Sequence, residues 1–541
     1  MSLVDAREDR LRPGQAAEGP AWRPGHNPWL IALTVTLATF MEVLDTSIAN
    51  VALPHIAGGL SSSVDEATWV LTSYLVANAI VLPLSGWIAG YIGRKRFYIS
   101  CVALFTISSV MCGMATSLEM LIWFRVLQGA GGGGLQPSEQ SILADTFPPA
   151  QFGMAFAVYG MAVVLAPALG PTLGGYLTDN ISWRYIFFIN LPVGLTSMIL
   201  SWRVLEDPPY LREQVKRNRR TMRIDYPGII LLSLALGSLQ VMLDRGQQDD
   251  WFGSRFITGL AVTMVVSAAV FVIHELRERA PVVELGLFRQ RNFATTNLMM
   301  FVLGFVLYSS TVLLPLYMQE LMGYSAELSG MAISPGALLL IGVLPLVGIL
   351  TTRVDARLLV MGGFVGLSLA MYQIAGIDLQ VDFMHIVLYR VYQSIPLAFL
   401  FIPINTLAYV GIDRERSREV SSLLNLFRNI GGSVGIAVLE TLVIRRADLH
   451  QERLVGHPTP YSVRYLQTMN TLSSHLFHHG LSQAGARAQA LGRIYTGVLQ
   501  QAAALAYVDA YYALAVVCLL MAPLALAMRK LDRASGAKMA H

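Results

Sequence analysis

Apolar stretches of about twenty residues recur fourteen times along this chain, and each is long enough to cross the hydrocarbon core of a bilayer. They run over 29–51, 67–89, 97–115, 119–142, 152–176, 184–203, 225–243, 255–275, 293–316, 329–350, 357–375, 384–408, 419–443 and 508–528. In hydrocarbon every backbone N–H and C=O must be paired internally, and runs of this length achieve that as helices. The expected fold is an all-α membrane protein with fourteen transmembrane helices. Composition agrees. Only 14% of residues are charged, against about 25% in a soluble domain, and mean hydropathy is +0.53. Cys101, Cys112 and Cys518 all fall inside apolar segments, so neither a disulfide framework nor a metal site is expected.

Orientation follows from the basic residues. With the N-terminus inside, the interior loops collect Arg94, Lys95 and Arg96, the run from Arg212 to Arg223, Arg277/Arg279/Arg289/Arg291, Arg353/Arg357, Arg414/Arg416/Arg418 and the tail from Arg529. The short outside loops hold only Arg184, Arg245 and Arg255. The positive-inside rule then places both termini of a multi-pass membrane protein in the cytosol. Residues 1–28 read as a polar cytosolic tail and 29–203 as a first six-helix bundle. Residues 204–292 carry a basic cytosolic loop, two inserted helices and a connector. Residues 293–528 form a second six-helix bundle containing an extracytoplasmic segment, 444–507, and 529–541 form a second cytosolic tail. That outer segment is rich in Gln, His and Ala, with a helical pattern from Leu481 to Leu505. It is either a plain connector or a docking surface.

Acids and arginines inside the spans are the exceptions to this apolar pattern. Burying one such charge costs about 2.5–3.5 kcal/mol on insertion scales, so they mark substrate or ion paths by default. Glu42 and Asp45 lie three residues apart on one helical face, which Thr46 and Asn50 extend. Asp45 lies about 24 Å along the first span and Arg125 about 9 Å from the outer face of the fourth, so in a core of about 30 Å the two share a depth. An ion pair there can couple protons, or it can simply fix two helices. Arg390, Arg428 and Glu440 lie in the second half. Arg428 reads as a helix anchor, and Glu139 as a residue at the end of the fourth span. Met299, Met300, Phe301, Tyr308, Tyr317 and Met318 can line a pliable pocket or pack against core and lipid. Gly129 to Gly134 lacks the Lys-Ser/Thr of a phosphate loop and lies within a span, which argues against nucleotide binding.

Four motifs stand in order: the run from Leu44 to Pro54, the loop from Gly86 to Arg96, Arg125 to Gly129 with the glycines at 131–134, and Gly170 to Gly175. The run Trp183 to Pro192 follows. Jointly they make the chain resemble the major facilitator superfamily, and within it the fourteen-span drug:proton antiporters. Gly237 to Gly246, Asp250 to Phe252, Leu313 to Pro315, Gln319, Glu320, Gly323 and Tyr324 resemble the EmrB-type multidrug efflux pumps of Gram-negative bacteria.

The resemblance implies export of hydrophobic or amphipathic toxic compounds, antibiotics among them, in exchange for protons, and no enzyme activity. The cofactor expectation is none beyond the proton gradient. The implied partners are substrates, protons, membrane lipid, a periplasmic EmrA-type adaptor and a TolC-type outer-membrane channel, with no nucleic acid. Asp45, Glu42 and Arg125 are the expected coupling residues, and the matched depth favours Asp45 as the proton carrier. Asn50, Gln128, Arg390, Tyr308 and Met300 are the expected cavity residues. Gly86, Gly93, Arg94 and Arg96 form the expected gating loop, and Gly170, Pro171, Gly174 and Gly175 the antiporter motif. Many members carry an acid at the position of Gly90, so the acid-based latch of that loop is not expected here. The alternatives are an adaptor-independent exporter of one metabolite or fatty acid, or a membrane scaffold or sensor.

Overall fold

The computed structural model describes residues 24–221, 225–278, 281–412, 416–456 and 462–528. The expectations for residues 1–23 and 529–541 and for Arg223, Arg279 and Arg414 lie outside them. The described residues fold into helices: α1 Pro28–Gly59, α2 Val64–Ala67, α3 Trp69–Ile92, α4 Arg94–Gly113, α5 Leu118–Gly132, α6 Leu135–Thr146, α7 Phe152–Asn180, α8 Tyr185–Phe188, α9 Asn190–Val204, α10 Pro209–Thr221, α11 Tyr226–Arg245, α12 Arg255–Glu275, α13 Arg291–Leu316, α14 Ala326–Arg353, α15 Ala356–Ile374, α16 Phe383–Ala408, α17 Ser417–Val455, α18 Val463–His478 and α19 Gln483–Met521. Local signals set several boundaries. Asn27 caps α1 by accepting from Trp29 N, with Pro28 opening the helix. Ser63 and Glu66 form a reciprocal capping box on α2. Gly93 (φ 103°) is the single residue between α3 and α4 and turns the chain from one into the other, a backbone state that disfavours any side chain.

Thirteen of these helices, some merged with a short neighbour, are long and apolar enough to cross a membrane. The segment expected as the fourth span is instead two shorter helices, α5 and α6, joined at Gly133-Gly134. Its second half carries Gln136, Glu139, Gln140 and Asp145, so it meets no single-helix apolar criterion. Every residue of α6 is nevertheless buried. Polar side chains survive there because neighbouring helices, not lipid, surround them.

The first bundle gathers α1, α3, α4, α5/α6, α7 and α8/α9, and the second gathers α13 to α17 and α19. The two meet along α7 against α14 and α3 against α17. The loops rich in Arg and Lys gather at one end of both bundles, called here the basic end. Between the bundles in sequence, α11 packs on α12, α3 and α17, so the inserted hairpin touches both. Thr72 of α3 bonds Asp244 of α11, and Ser433 of α17 donates to Gln240 at 3.1 Å. The outer face of α12 remains exposed through Val262, Val265, Val266 and Ile273, as a lipid-facing helix requires.

Two helices overrun the membrane. At 39 residues each, α17 and α19 are about 58 Å long, roughly twice the hydrocarbon core. The helical pattern expected over 481–505 is present, and it runs into the last span without a break. The projecting part of α19 packs on α18 around Met469, Leu476, Ala486 and Ala490. His450 on α17 approaches Asp509 on α19 at 2.9 Å.

Candidate functional site

Asp45 and Arg125 are in contact, Nη1 to Oδ2 at 2.6 Å, and both side chains are about 1% exposed. The carboxylate takes two further donors on its other oxygen, Gln128 Nε2 at 2.8 Å and Asn190 Nδ2 at 2.7 Å. Arg125 also donates to Gln128 Oε1 at 2.8 Å and, through Nε, to the Val70 carbonyl at 3.1 Å. Its guanidinium lies over the Tyr74 ring, 4.3 Å from the centroid. Helices α1, α3, α5 and α9 thus converge on one acid, with a cation and two amides satisfying it. Such a group is held, not exposed. The expected wet face of α1 survives only further along: Asn50 is exposed and bonds back to the Thr46 carbonyl at 3.1 Å.

Glu42 has a different environment. It is buried, and its described donors are neutral amides, Asn78 Nδ2 at 3.2 Å and Gln136 Nε2 at 2.9 Å. The other end of the Gln136 amide faces the second bundle. Its Oε1 accepts from Arg428 Nη2 and lies 3.0 Å from the Tyr159 hydroxyl. Arg428 Nη1 donates to that hydroxyl at 2.9 Å, and Asn425 donates to Gln140 at 2.8 Å. Arg428, expected to anchor one helix to another, joins the two bundles. Glu139 does not sit at a helix end as expected. It lies inside α6, fully buried, accepting from the Thr36 hydroxyl at 2.6 Å. Helix α6 runs on to Thr146, past the end expected at residue 142, and this leaves Glu139 within the helix.

The basic end is closed. Ser422 of α17 donates to the Leu82 carbonyl at 2.7 Å, and Ser141 meets Ser417 at 3.3 Å. Phe156 stacks on Tyr409, with centroids 5.6 Å apart. Of the expected gating loop, Gly86 packs on α17, where a Cβ would come 3.2 Å from the Arg418 carbonyl. Gly93 forms the turn, Arg94 is buried in an ion pair with Asp145, and Arg96 is exposed. The position of Gly90 faces Arg418: a Cβ there would lie 3.4 Å from Nη1. The partner for an acidic latch is present without the acid.

The antiporter motif divides likewise. Gly170 lies so close to Ser47 of α1 that any Cβ would overlap its side chain, and Gly174 abuts Ile48. Pro171 touches α14 of the other bundle at Gly330, where a Cβ would lie 3.1 Å away. Gly175 borders open space. Among the expected cavity residues, Gln128 belongs to the Asp45 network and Met300 lies in the apolar core at 1% exposure. Tyr308 is half-buried beside Gly432 of α17. Arg390 is buried, donating to Gln393 Oε1 at 2.8 Å and Thr311 Oγ1 at 3.3 Å. Asn190, Asn78, Gln136, Tyr159 and Asp145 were not singled out from sequence. The sequence signal for Gln136 is the polar run within the fourth apolar segment, and Asp145 follows just beyond its end.

The two six-helix bundles match a known fold. The family model described as Major Facilitator Superfamily matches residues 35–436. The chain belongs to the Major Facilitator Superfamily. It is 38% identical over 87% of its length to the fatty acid resistance protein FarB of Neisseria gonorrhoeae, covering 90% of that protein. It is 39% identical over 84% of its length to the multidrug export protein EmrB of Haemophilus influenzae, covering 86%. Among solved structures it resembles the proton:xylose symporter XylE of the same superfamily, with a TM-score of 0.55 and 15% identity, covering 91% of this chain and 94% of that one. That likeness concerns the fold. The EmrB and FarB similarities place the chain among EmrB-type members, as the motifs implied.

Proposed function

We propose that this protein is a proton-coupled antiporter that exports hydrophobic or amphipathic toxic compounds. In this reading it spans the bacterial inner membrane with its basic end and both termini in the cytosol, and delivers substrate to an EmrA-type adaptor and a TolC-type channel. The EmrB relative is named for multidrug export, which supports this reading, and the FarB relative for fatty acid resistance, which brings amphipathic acids within its range. The loop asymmetry supports the orientation, and the projecting helices α17 to α19 offer a surface for an adaptor.

The observation that carries the coupling reading is the chain of contacts from Glu42 through Gln136 to Arg428. Proton coupling needs a carboxylate whose protonation changes a contact between the bundles. Asp45 is enclosed by Arg125, Gln128 and Asn190 within the first bundle, so its pair reads as the fixed element. Adding a proton to Glu42 removes the acceptor charge from Gln136, the side chain that Arg428 grips from the second bundle. That loosens the closed basic end and favours access to the cytosol. The sequence-based preference for Asp45 is thereby exchanged for Glu42. In reconstituted vesicles, Glu42→Gln is expected to keep substrate binding and lose substrate-linked proton flux by at least about tenfold. Unchanged flux in that variant would rule out Glu42 as the carrier.

A further inference from the structure

The two bundles repeat one motif with one difference. In α5, Arg125 donates from Nη1 to Gln128 Oε1, three residues on, at 2.8 Å. In α16, Arg390 donates from Nη1 to Gln393 Oε1, also three residues on and also at 2.8 Å. Each glutamine then donates to the first helix of its bundle: Gln128 to Asp45 of α1 at 2.8 Å, Gln393 to Ser310 of α13 at 2.5 Å. Ser310 therefore stands where Asp45 stands, and the acid that neutralises Arg125 has no counterpart. Among the described residues no carboxylate pairs with Arg390, its Nε has no hydrogen-bond partner, and the side chain is 6% exposed. A guanidinium cannot discharge itself, and a buried cation without an anion is costly.

A small apolar cavity lies deeper on the same helices. Leu307 and Leu303 of α13, Leu344 of α14, Leu397 and Phe401 of α16 and Val164 of α7 line it. Leu397 is seven residues from Arg390, about 10 Å along α16, and Leu307 is four residues from Thr311, about 6 Å along α13. These side chains line the seam between the bundles, where α7 meets α14 and α16.

We infer that Arg390 is the head-group subsite for amphipathic carboxylates, with the transported anion supplying the counter-charge that Asp45 supplies to Arg125 and, as the bundles part, the leucine-lined seam contacting its apolar body. Ser310, Thr311 and Gln393 position the guanidinium. This rests on the export reading above and names the substrate class for it. Lysine at 390 keeps the charge but loses the two-pronged donor geometry.

Binding of radiolabelled dodecanoate to the purified full chain in neutral detergent tests this, with dodecyltrimethylammonium as a control of equal chain length. Arg390→Gln is expected to weaken dodecanoate binding at least about tenfold and leave the cation unchanged. Arg390→Lys is expected to retain part of the affinity. Ser310→Asp, which rebuilds the first bundle's pattern in the second, is expected to abolish dodecanoate binding with Arg390 intact. Dodecanoate affinity unaltered in both Arg390→Gln and Ser310→Asp, or equal loss of anion and cation, overturns the assignment. Proton-driven export of the cation by the wild type in phosphatidylcholine vesicles separates this result from the antiport itself. Its absence refutes the antiport, whereas its presence with unaltered dodecanoate binding refutes only the subsite.

Discussion

Asp45 and Glu42 lie three residues apart on α1, yet different chemistry follows from the atoms that face each. Asp45 has a cationic donor and two amides, while the described donors to Glu42 are two amides alone. Removing one partner of a buried ion pair strands the other, at a cost of about 3–5 kcal/mol. Asp45→Ala is therefore expected to lower stability by that amount, read as a fall in unfolding temperature of the purified protein. Glu42→Gln keeps a side chain that still accepts from Asn78 or Gln136, and should cost about 1 kcal/mol or less. Equal losses in the two variants would contradict this division. The presence of both acids and of Arg125 was legible in the sequence. The assignment of partners was not, because Asn190, Asn78 and Gln136 come from three other helices whose rotation about their own axes no linear pattern specifies.

At the scale of the element, α7 and the α5/α6 break decide how closely the helices approach. Gly170 sits against Ser47, whose hydroxyl donates to the Pro167 carbonyl at 3.1 Å. Gly170→Val is expected to push α1 from α7 and cost about 1–3 kcal/mol as an overpacked contact. Gly175→Ala, which meets nothing, is expected to be nearly silent. Thermal unfolding of both variants checks the contrast, and a similar cost for each would show that the motif acts through backbone flexibility. Both glycines belong to one sequence motif, and only the packing of α7 on α1 separates their roles. The broken fourth span was mistaken for a continuous helix for a related reason. Hydropathy averages over Gly133-Gly134 and the polar residues beyond, and only the burial of all of α6 explains why that polar stretch is tolerated.

At the scale of the whole molecule, the two bundles meet firmly at the basic end, the inserted hairpin touches both, and α17 and α19 project well beyond the membrane. Replacing residues 450–505 with a short linker is expected to abolish copurification with an EmrA-type adaptor and leave proton-linked export in vesicles intact. Retained copurification would move the contact elsewhere on the molecule. Sequence alone determined the all-helical membrane class, nearly every span, the asymmetry of basic loops and the superfamily motifs. These follow from short-range chemistry: twenty apolar residues must form a helix in hydrocarbon, and rare charges inside such helices stand out. Tertiary structure alone decided that Glu42 is linked to Arg428 across the bundles, that Arg94 is neutralised by Asp145, and that Arg390 lacks the acid its counterpart has. Those outcomes depend on which faces of distant helices meet. A buried charge is defined by its neighbours in space, and those neighbours lie tens to hundreds of residues away along the chain.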